Sequence, residues 1–409
     1  MGESVFSSAS AKVLRGERAK AMVHPEALEV LICPRKDEAR PCHGALHVER
    51  SLRHQDEESQ DILEAILRCD RCRARYPVIC GIPILHHNTP RYLRQNYNFL
   101  VGSCQALGCL SEAMKTELMN LVLMDMKSAR EELFPPQRKY TRVGMLDFRA
   151  EVGPYLCNHY DDLASVVEPR DPLYRFLRPY PARNPHAILE KFADRYGSGP
   201  SSVAVDIGCH VGGFIAKQAK RCRFVYGVDL SFENLLLASQ ILKRRPRGMT
   251  RYPLYREGQQ YQWRGLHAPH CRNVDFVVAS GSSLPFKTAA FDIVSSCNVV
   301  DIVQKPLDLL REKLRVLQKK GLLLISDPYQ FYGAGMTRLK TRTRKSPLAV
   351  VKERIQREAE IVEEEDYVPW VTRRYARHYL IYFNHCMAAI KRVRASSKGG
   401  RTIPRPTSK

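Results

Sequence analysis

VAVDIGCHVGGFIAKQAKRCRFVYGVDL, spanning residues 203–230, opens with an apolar run that ends at Asp206. A turn with glycines at 208, 212 and 213 follows, then a helical pattern, then a second apolar run closing on Asp229. The order is strand, glycine turn, helix, strand, acid. Glycine lets the backbone approach a bound nucleotide, and the second acid can accept both ribose hydroxyls. The pattern predicts a nucleoside-cofactor site, although a glycine turn alone also serves as an ordinary connection in a parallel sheet.

A dinucleotide fold wants G-x-G-x-x-G, because a pyrophosphate needs exposed amides at the helix start. Here the spacing is D-x-G-x-x-x-G-G, with Cys209 and His210 after the first glycine. Residues 274–280 (VDFVVAS) supply a third apolar run, followed by Leu284-Pro285-Phe286, and residues 291–300 (FDIVSSCNVV) a fourth. Leu307, Leu310, Leu314 and Leu317 recur at helical spacing up to Lys319-Lys320-Gly321, and 322–326 (LLLIS) reads as a fifth buried strand. Strands alternating with amphipathic helices predict an α/β, doubly wound, mostly parallel sheet.

On these motifs the region resembles class I S-adenosylmethionine-dependent methyltransferases, whose first motif is loosely D-x-G-C-x-x-G. The resemblance implies a seven-stranded sheet, closed by an antiparallel pair at 368–372 and 379–390. It implies S-adenosylmethionine as cofactor, with Asp206, Gly208, Cys209 and Gly212 at its methionine end and Asp229 on its ribose. Ser280, Ser282 and Leu284 would flank the adenine, and Asn298 would start the loop that closes the pocket. The family often carries an acid where this chain has Ser280. A serine can accept the adenine amino group's bond, but without charge assistance.

Asp327-Pro328-Tyr329 resembles the [DN]-P-P-Y signature of amino-group methyltransferases. It follows the fifth strand and not the fourth, and it is one proline short, so that reading is set aside. Asp327 and Tyr329 still lie at a carboxyl strand end, where open α/β sheets bind ligands. They are catalytic candidates; a turn fixed by Pro328 is the alternative. His159, in YLCNHYDD (155–162), is a third candidate, and a structural histidine is the alternative there.

The amino-terminal third has a signal of its own. EVLICP (29–34), LRCDRC (67–72) and YPVICGIPIL (76–85) resemble the small zinc-ribbon protein that activates tRNA, rRNA and release-factor methyltransferases. Cys69 and Cys72 have metal-ligand spacing, since two thiolates from one tight turn can grip tetrahedral zinc. The first knuckle departs from the family's C-P-x-C: Lys36 stands where the second cysteine belongs, and Cys42 is the next candidate. Cys33, Cys42, Cys69 and Cys72 form the expected structural zinc site, with His43, His47 and Cys80 as spare ligands. Buried, metal-free cysteines are the alternative.

The chain of 409 residues suits two or three domains. The expected division is a disordered tail at 1–24, a zinc ribbon at 25–90 and a helical insert at 91–185. A methyltransferase domain at 186–392 and a basic tail at 393–409 complete it. In the insert, Leu107, Leu110, Met114, Leu118 and Leu121 predict one amphipathic helix ended by Pro135-Pro136. Thirteen scattered cysteines without a secretory leader predict free thiols in a reducing, cytoplasmic setting. Organellar targeting by the first residues stays open. No apolar run approaches the roughly 20 residues needed to span a bilayer.

Net charge is +22, from 65 basic and 43 acidic residues. Basic residues crowd 338–345, 243–247 and the last nineteen positions, and Tyr252, Tyr255, Tyr261 and Trp263 follow the second cluster. Such patches can grip RNA phosphates and stack bases, or merely keep a surface solvated. The resemblance therefore implies in-line methyl transfer to a small-molecule or amino-acid-derivative acceptor, with the activator ribbon supplied in cis. An RNA or translation-factor methyltransferase and a non-catalytic interaction module are the alternatives.

Overall fold

The computed structural model describes residues 28–37, 40–54, 62–106, 110–126, 145–161, 166–179, 184–197, 199–243, 250–258, 260–331 and 345–393. The predicted tail at 1–24, all but Val393 of the predicted tail at 393–409, most of the 338–345 cluster and Arg244–Arg247 lie outside these residues.

The amino-terminal part runs β1 (Lys36–Asp37), β2 (Arg40–Pro41), β3 (Leu46–His54), β4 (Ile62–Cys69), β5 (Arg75–Ile79) and β6 (Ile82–Pro83). Strands β3 to β6 pair antiparallel in chain order as one small sheet. Helices α1 (Thr89–Ala106), α2 (Glu112–Met126), α3 (Met145–Tyr160) and α4 (Pro172–Leu177) come next. The single helix expected from the leucine repeat is thus α2, which starts at Glu112, and α1 precedes it. Leu107 lies outside the described residues. In α2, Met114, Leu118 and Leu121 are buried as the repeat predicts.

The region that builds the large sheet follows: α5 (Pro185–Tyr196), β7 (Val203–Ile207), α6 (Gly213–Gln218), β8 (Phe224–Asp229) and α7 (Phe232–Leu242). A hairpin, β9 (Arg251–Glu257) and β10 (Gln260–Gly265), is inserted before β11 (Val274–Val278). Then come β12 (Phe291–Cys297), α8 (Pro306–Val316), β13 (Leu317–Asp327), α9 (Pro347–Gln356), β14 (Ala359–Tyr375) and β15 (His378–Lys391). The central sheet has seven strands in the order β11-β8-β7-β12-β13-β15-β14. The first five are mutually parallel, β15 runs against them, and β14, antiparallel to β15, runs in their direction again, so the predicted fold class is what forms. Their near-continuous burial explains the unbroken apolar runs, because helices cover both faces of a parallel sheet. Strand β13 begins at Leu317, so the lysines expected to stop α8 are its opening residues.

The small sheet is fused to the large one through backbone. Ile84 bridges Val278 in parallel and Leu31 bridges Phe286 antiparallel. Leu85 N–H donates to the Val278 carbonyl, and Ile32 N–H to that of Pro285, both at 2.9 Å. Leu31, Cys33 and Tyr76 share one apolar core with Leu284, Phe286 and Phe291. Ribbon and sheet therefore bury their apolar surface as a unit.

Helix α3 crosses the inserted hairpin at a glycine. A Cβ on Gly153 would sit 2.2 Å from the Pro253 carbonyl oxygen, so only hydrogen fits. Gly153→Ala should lose about 1–3 kcal/mol of stability by overpacking, measured by urea unfolding. Gly102→Ala in α1, where an added Cβ meets nothing within 4 Å, should be neutral or slightly stabilising.

Candidate active site

The carboxyl ends of the parallel strands open into one cavity of about 960 Å³. Its floor is the turn after β7. Gly208 has φ +77°, and a Cβ there would meet the Val299 side chain at 2.3 Å. Gly208 and Cys209 both donate their N–H to the Val228 carbonyl, which folds the turn back over β8. Gly212, at φ +83°, is the N-cap of α6.

Asp229 ties two loops together. One carboxylate oxygen accepts the His210 N–H at 3.0 Å, and the other accepts the Ser231 N–H at 2.9 Å. Asp229 lines the cavity, and each of its oxygens has capacity for a further hydrogen bond. Tyr92 from α1 steadies the same loop, donating to the Leu230 carbonyl at 2.9 Å and accepting from Phe232 N–H. Across β11, Ser280, Ser282 and Ser283 form the facing wall. The Ser283 hydroxyl donates to the Pro34 carbonyl, and the Lys36 amine to that of Ser282. The residue that breaks the expected C-P-x-C pattern is thus used to hold this loop.

Of the residues expected to hold a cofactor, Asp206, Gly208, Cys209, Asp229, Ser280, Ser282 and Asn298 line the cavity. Gly212 and Leu284 do not: Gly212 shapes the helix start, and Leu284 is buried with its N–H given to Glu312. Asp206 accepts from the Ser295 hydroxyl at 2.7 Å, and burial pushes its carboxyl up to about 6.

The three catalytic candidates part company. Asp327 is fully buried and accepts three backbone N–H groups, from Val299, Val300 and Tyr329, at 2.8–3.1 Å. Burial, then repulsion from Asp301, pushes it up to about 7. Its geometry shapes the 298–300 and 328–330 loops, and it does not face the cavity. Tyr329 packs over Phe331, away from the cavity, and burial raises its phenol well above the usual range. His159 does line the cavity. Its Nδ1 accepts the Gly213 N–H at 3.1 Å, and burial holds the ring neutral, so its proton sits on Nε2. In that tautomer His159 is a donor and not a base.

Apart from His159, sequence reading missed the opposite wall. His159 packs edge-on against His186 at 4.8 Å, and both meet Trp370 edge-on, at 5.8 and 4.9 Å. Tyr155 lies 4.3 Å from His210 and under the Arg374 guanidinium. The period-two pattern Trp370, Thr372, Arg374 on β14 was the available signal, since alternate residues share a face. Nothing local said which face meets the cavity.

The second constellation is a thiol cluster. The Sγ atoms of Cys33, Cys42, Cys69 and Cys72 all lie within 4.8 Å of one another. Tetrahedral Zn–S bonds of about 2.3 Å would set them about 3.8 Å apart. Cys72 N–H points at the Cys69 sulfur at 3.4 Å, and a Cβ on Gly44 would strike that sulfur at 2.6 Å. The donor set fits a closed metal site. Cys80 pairs instead with Cys104, 3.8 Å away.

Residues 205–325 match the family model described as a methyltransferase domain. The match covers less than a third of the chain. The sheet around it has the class I methyltransferase fold. No curated protein sequence matches the chain. Among solved structures, the N-methyltransferase NodS of Bradyrhizobium japonicum WM9, in complex with S-adenosyl-L-homocysteine, is 14% identical with a TM-score of 0.34. That match covers 55% of this chain and 89% of NodS. An S-adenosylmethionine-dependent methyltransferase of Methanosarcina mazei is 16% identical with a TM-score of 0.33, covering 49% of this chain and 97% of that one. One chain of the Haloferax volcanii complex between the Trm112 methyltransferase activator and a protein described as a methyltransferase gives 14% and 0.36, covering 60% and 98%. Among the described residues, no helix is long and apolar enough to cross a membrane.

Burial holds His186 down at about 3, against an ordinary value of 6.5. The unfolded chain therefore takes a proton that the folded chain refuses, so stability falls as pH drops below about 6.5, by about 1.4 kcal/mol per pH unit for this one group. His186→Phe, which keeps a ring beside Trp370, should flatten the acid limb of stability against pH by that slope, measured by denaturant unfolding from neutral to acid.

Proposed function

We propose that the chain binds S-adenosylmethionine in this cavity and transfers its methyl group to a small acceptor. The observation that carries the reading is Asp229, an acid at the end of β8 whose two oxygens are oriented by two loop amides toward a cavity floored by a positive-φ glycine. Asp206, Gly208 and Cys209 would hold the methionine end, Asp229 the ribose hydroxyls, and Ser280 and Ser282 the adenine edge. When bound, the cofactor supplies a methyl group on a sulfonium that is already activated. The protein's part is to position the acceptor, exclude water and take up a proton where the acceptor has one to lose.

Of the cavity's titratable groups, His210 suits that last role best. Its backbone is fixed by Asp229, its ring is held neutral by burial, and its Nδ1 has no partner among the described residues. Asp327 and Tyr329 act through the loops they hold.

The thiol cluster is read as a structural zinc site, and the ribbon as an activator built into the chain. Four protein thiolates leave no open position for chemistry. A second reading, RNA as acceptor, draws on Trp263, 45% exposed on the inserted hairpin beside exposed Arg251 and Arg256. A salt-sensitive RNA gel shift would favour it.

Calorimetric titration with S-adenosylhomocysteine should show one site. Asp229→Ala should weaken it at least about tenfold with the fold intact, since charge-assisted hydrogen bonds are lost. Unchanged affinity would refute the assignment. Metal analysis of the purified protein should return about one zinc per chain, and Cys72→Ser should release it and lower the melting temperature. A protein without zinc at full stability would argue for buried thiols alone.

A further inference from the structure

Arginines 373 and 374 stand side by side on β14 and point to opposite faces. Arg373 is 1% exposed and faces Glu168 at 3.6 Å. Arg374 lines the cavity, with its guanidinium over the Tyr155 ring at 5.6 Å, and has no carboxylate within 4.0 Å among the described residues. The acids that share the cavity wall are engaged elsewhere. Asp206 accepts from Ser295, Asp229 from two amides and Asp301 from Gln330 N–H, while Asp308 pairs with Arg311. A permanent cation has thus been placed at the wall of a deep site with its charge left open.

The sheet order says which ligand it faces. Asp229 and Ser280 follow β8 and β11, at one end of the sheet, and Arg374 sits on β14 at the other. The β14–β15 hairpin runs beyond the end of β13, because His385 already pairs with Asp327 and residues 378–384 continue past it. Backbone fixes the hairpin there: Ala376 N–H donates to the Arg256 carbonyl at 2.9 Å, and Tyr375 stacks on Tyr255. The extension walls the half of the cavity that the cofactor residues leave unlined. A volume of about 960 Å³ is at the top of the roughly 300–1,000 Å³ typical of small-molecule sites, which leaves room for a second molecule.

A second, independent observation lies on the same wall. His186 is 3% exposed and its Nδ1 has no hydrogen-bond partner among the described residues, and the same holds for the buried Nδ1 of His210. Buried polar atoms are normally paired, so two open imidazole nitrogens beside one open guanidinium mark a place for a polar guest. Tyr155 and Trp370 add aromatic rings to the same lining, against His210 and His186 respectively.

We propose, resting on the methyltransferase reading above, that the methyl acceptor is a small planar-ring compound bearing a carboxylate, and that Arg374 binds this carboxylate. A guanidinium stacked on tyrosine keeps its edge donors in plane, in the fork that matches two carboxylate oxygens. The ring of the acceptor lies between Tyr155 and Trp370, and its heteroatom meets the open imidazole nitrogens. Arg374 is a specificity determinant and takes no part in bond making.

The test is calorimetry on the full-length protein saturated with S-adenosylhomocysteine. The probes are matched pairs that differ only in charge: phenylacetate and phenylacetamide, indole-3-acetate and its amide, imidazole-4-acetate and its amide. At least one carboxylate should bind about tenfold or more tightly than its amide. Arg374→Gln should erase that preference while S-adenosylhomocysteine affinity is unchanged, Arg374→Lys should restore part of it, and Arg377→Gln on the exposed hairpin tip should leave it intact. Equal binding within every pair, or a preference that survives Arg374→Gln, overturns the proposal. So does a result in which Arg374→Gln weakens only a short single-stranded RNA, which would give the guanidinium to a phosphate backbone. Failure of the parent protein to bind S-adenosylhomocysteine sinks the underlying reading instead, so the two failures are told apart.

Discussion

Two backbone amides converging on one carboxylate organise the site. Asp229 receives N–H groups from His210 and Ser231, and so locks the loop after β7 to the loop after β8. Adjacent parallel strands deliver their carboxyl ends side by side, and without such a tie the two loops would be free to splay. Once they are locked, the positive-φ turn at Gly208 is held against Val299, and His210 is presented to Tyr155 and His159. The acid that would bind a ribose therefore also aligns the wall on which an acceptor would rest.

Welding the ribbon to the edge of the sheet extends this organisation outward. Strand β11 is an edge strand, and an edge with unpaired amides invites uncontrolled pairing. Here the Val278 carbonyl is taken by Leu85 and the Pro285 carbonyl by Ile32. The segment that leaves Cys33 continues through Pro34 and Lys36, which hold Ser283 and Ser282. The thiol cluster and the serine loop are thus separated by only a few residues of taut backbone. Whatever fixes the knuckle also fixes one side of the cavity.

Beneath the cavity lies a buried set of opposite charges. Lys313 is fully buried, donates to the Ser296 hydroxyl, and is pushed down to about 8 by burial while Asp327 and Asp206 pull it back up. A buried amine of this kind is tolerated because acids stand on either side of it, and the acids tolerate burial because the amine and several N–H groups are near. The group gains definition more than stability: Asp327 converts its charge into three fixed amides, and those amides set the loop that carries Asn298 and Val299. In this way an acid that never faces the cavity decides the shape of its rim.

The order of strands and helices was legible in residues 203–326, because parallel strands buried on both faces must be apolar runs and their connections must carry turn residues. Asp206, Gly208, Asp229 and Ser280 were legible for the same reason, since each sits at a fixed offset from a strand end. Of four cysteines separated by up to thirty-nine positions, Cys69 and Cys72 were readable as a pair from their spacing, whereas Cys33 and Cys42 joined the expected cluster only through the resemblance. The cavity wall opposite the serine loop was not readable. Tyr155, His186, Trp370 and Arg374 come from two helices and a strand that meet only after the chain has crossed the sheet and returned. Asp327 shows the converse: its position at a strand end was plain, yet its role turned on which amides reached it. Local spacing determines where a backbone must turn, whereas the environment of a side chain belongs to the packed whole, and here the packing of α3, α5 and β14 made that choice.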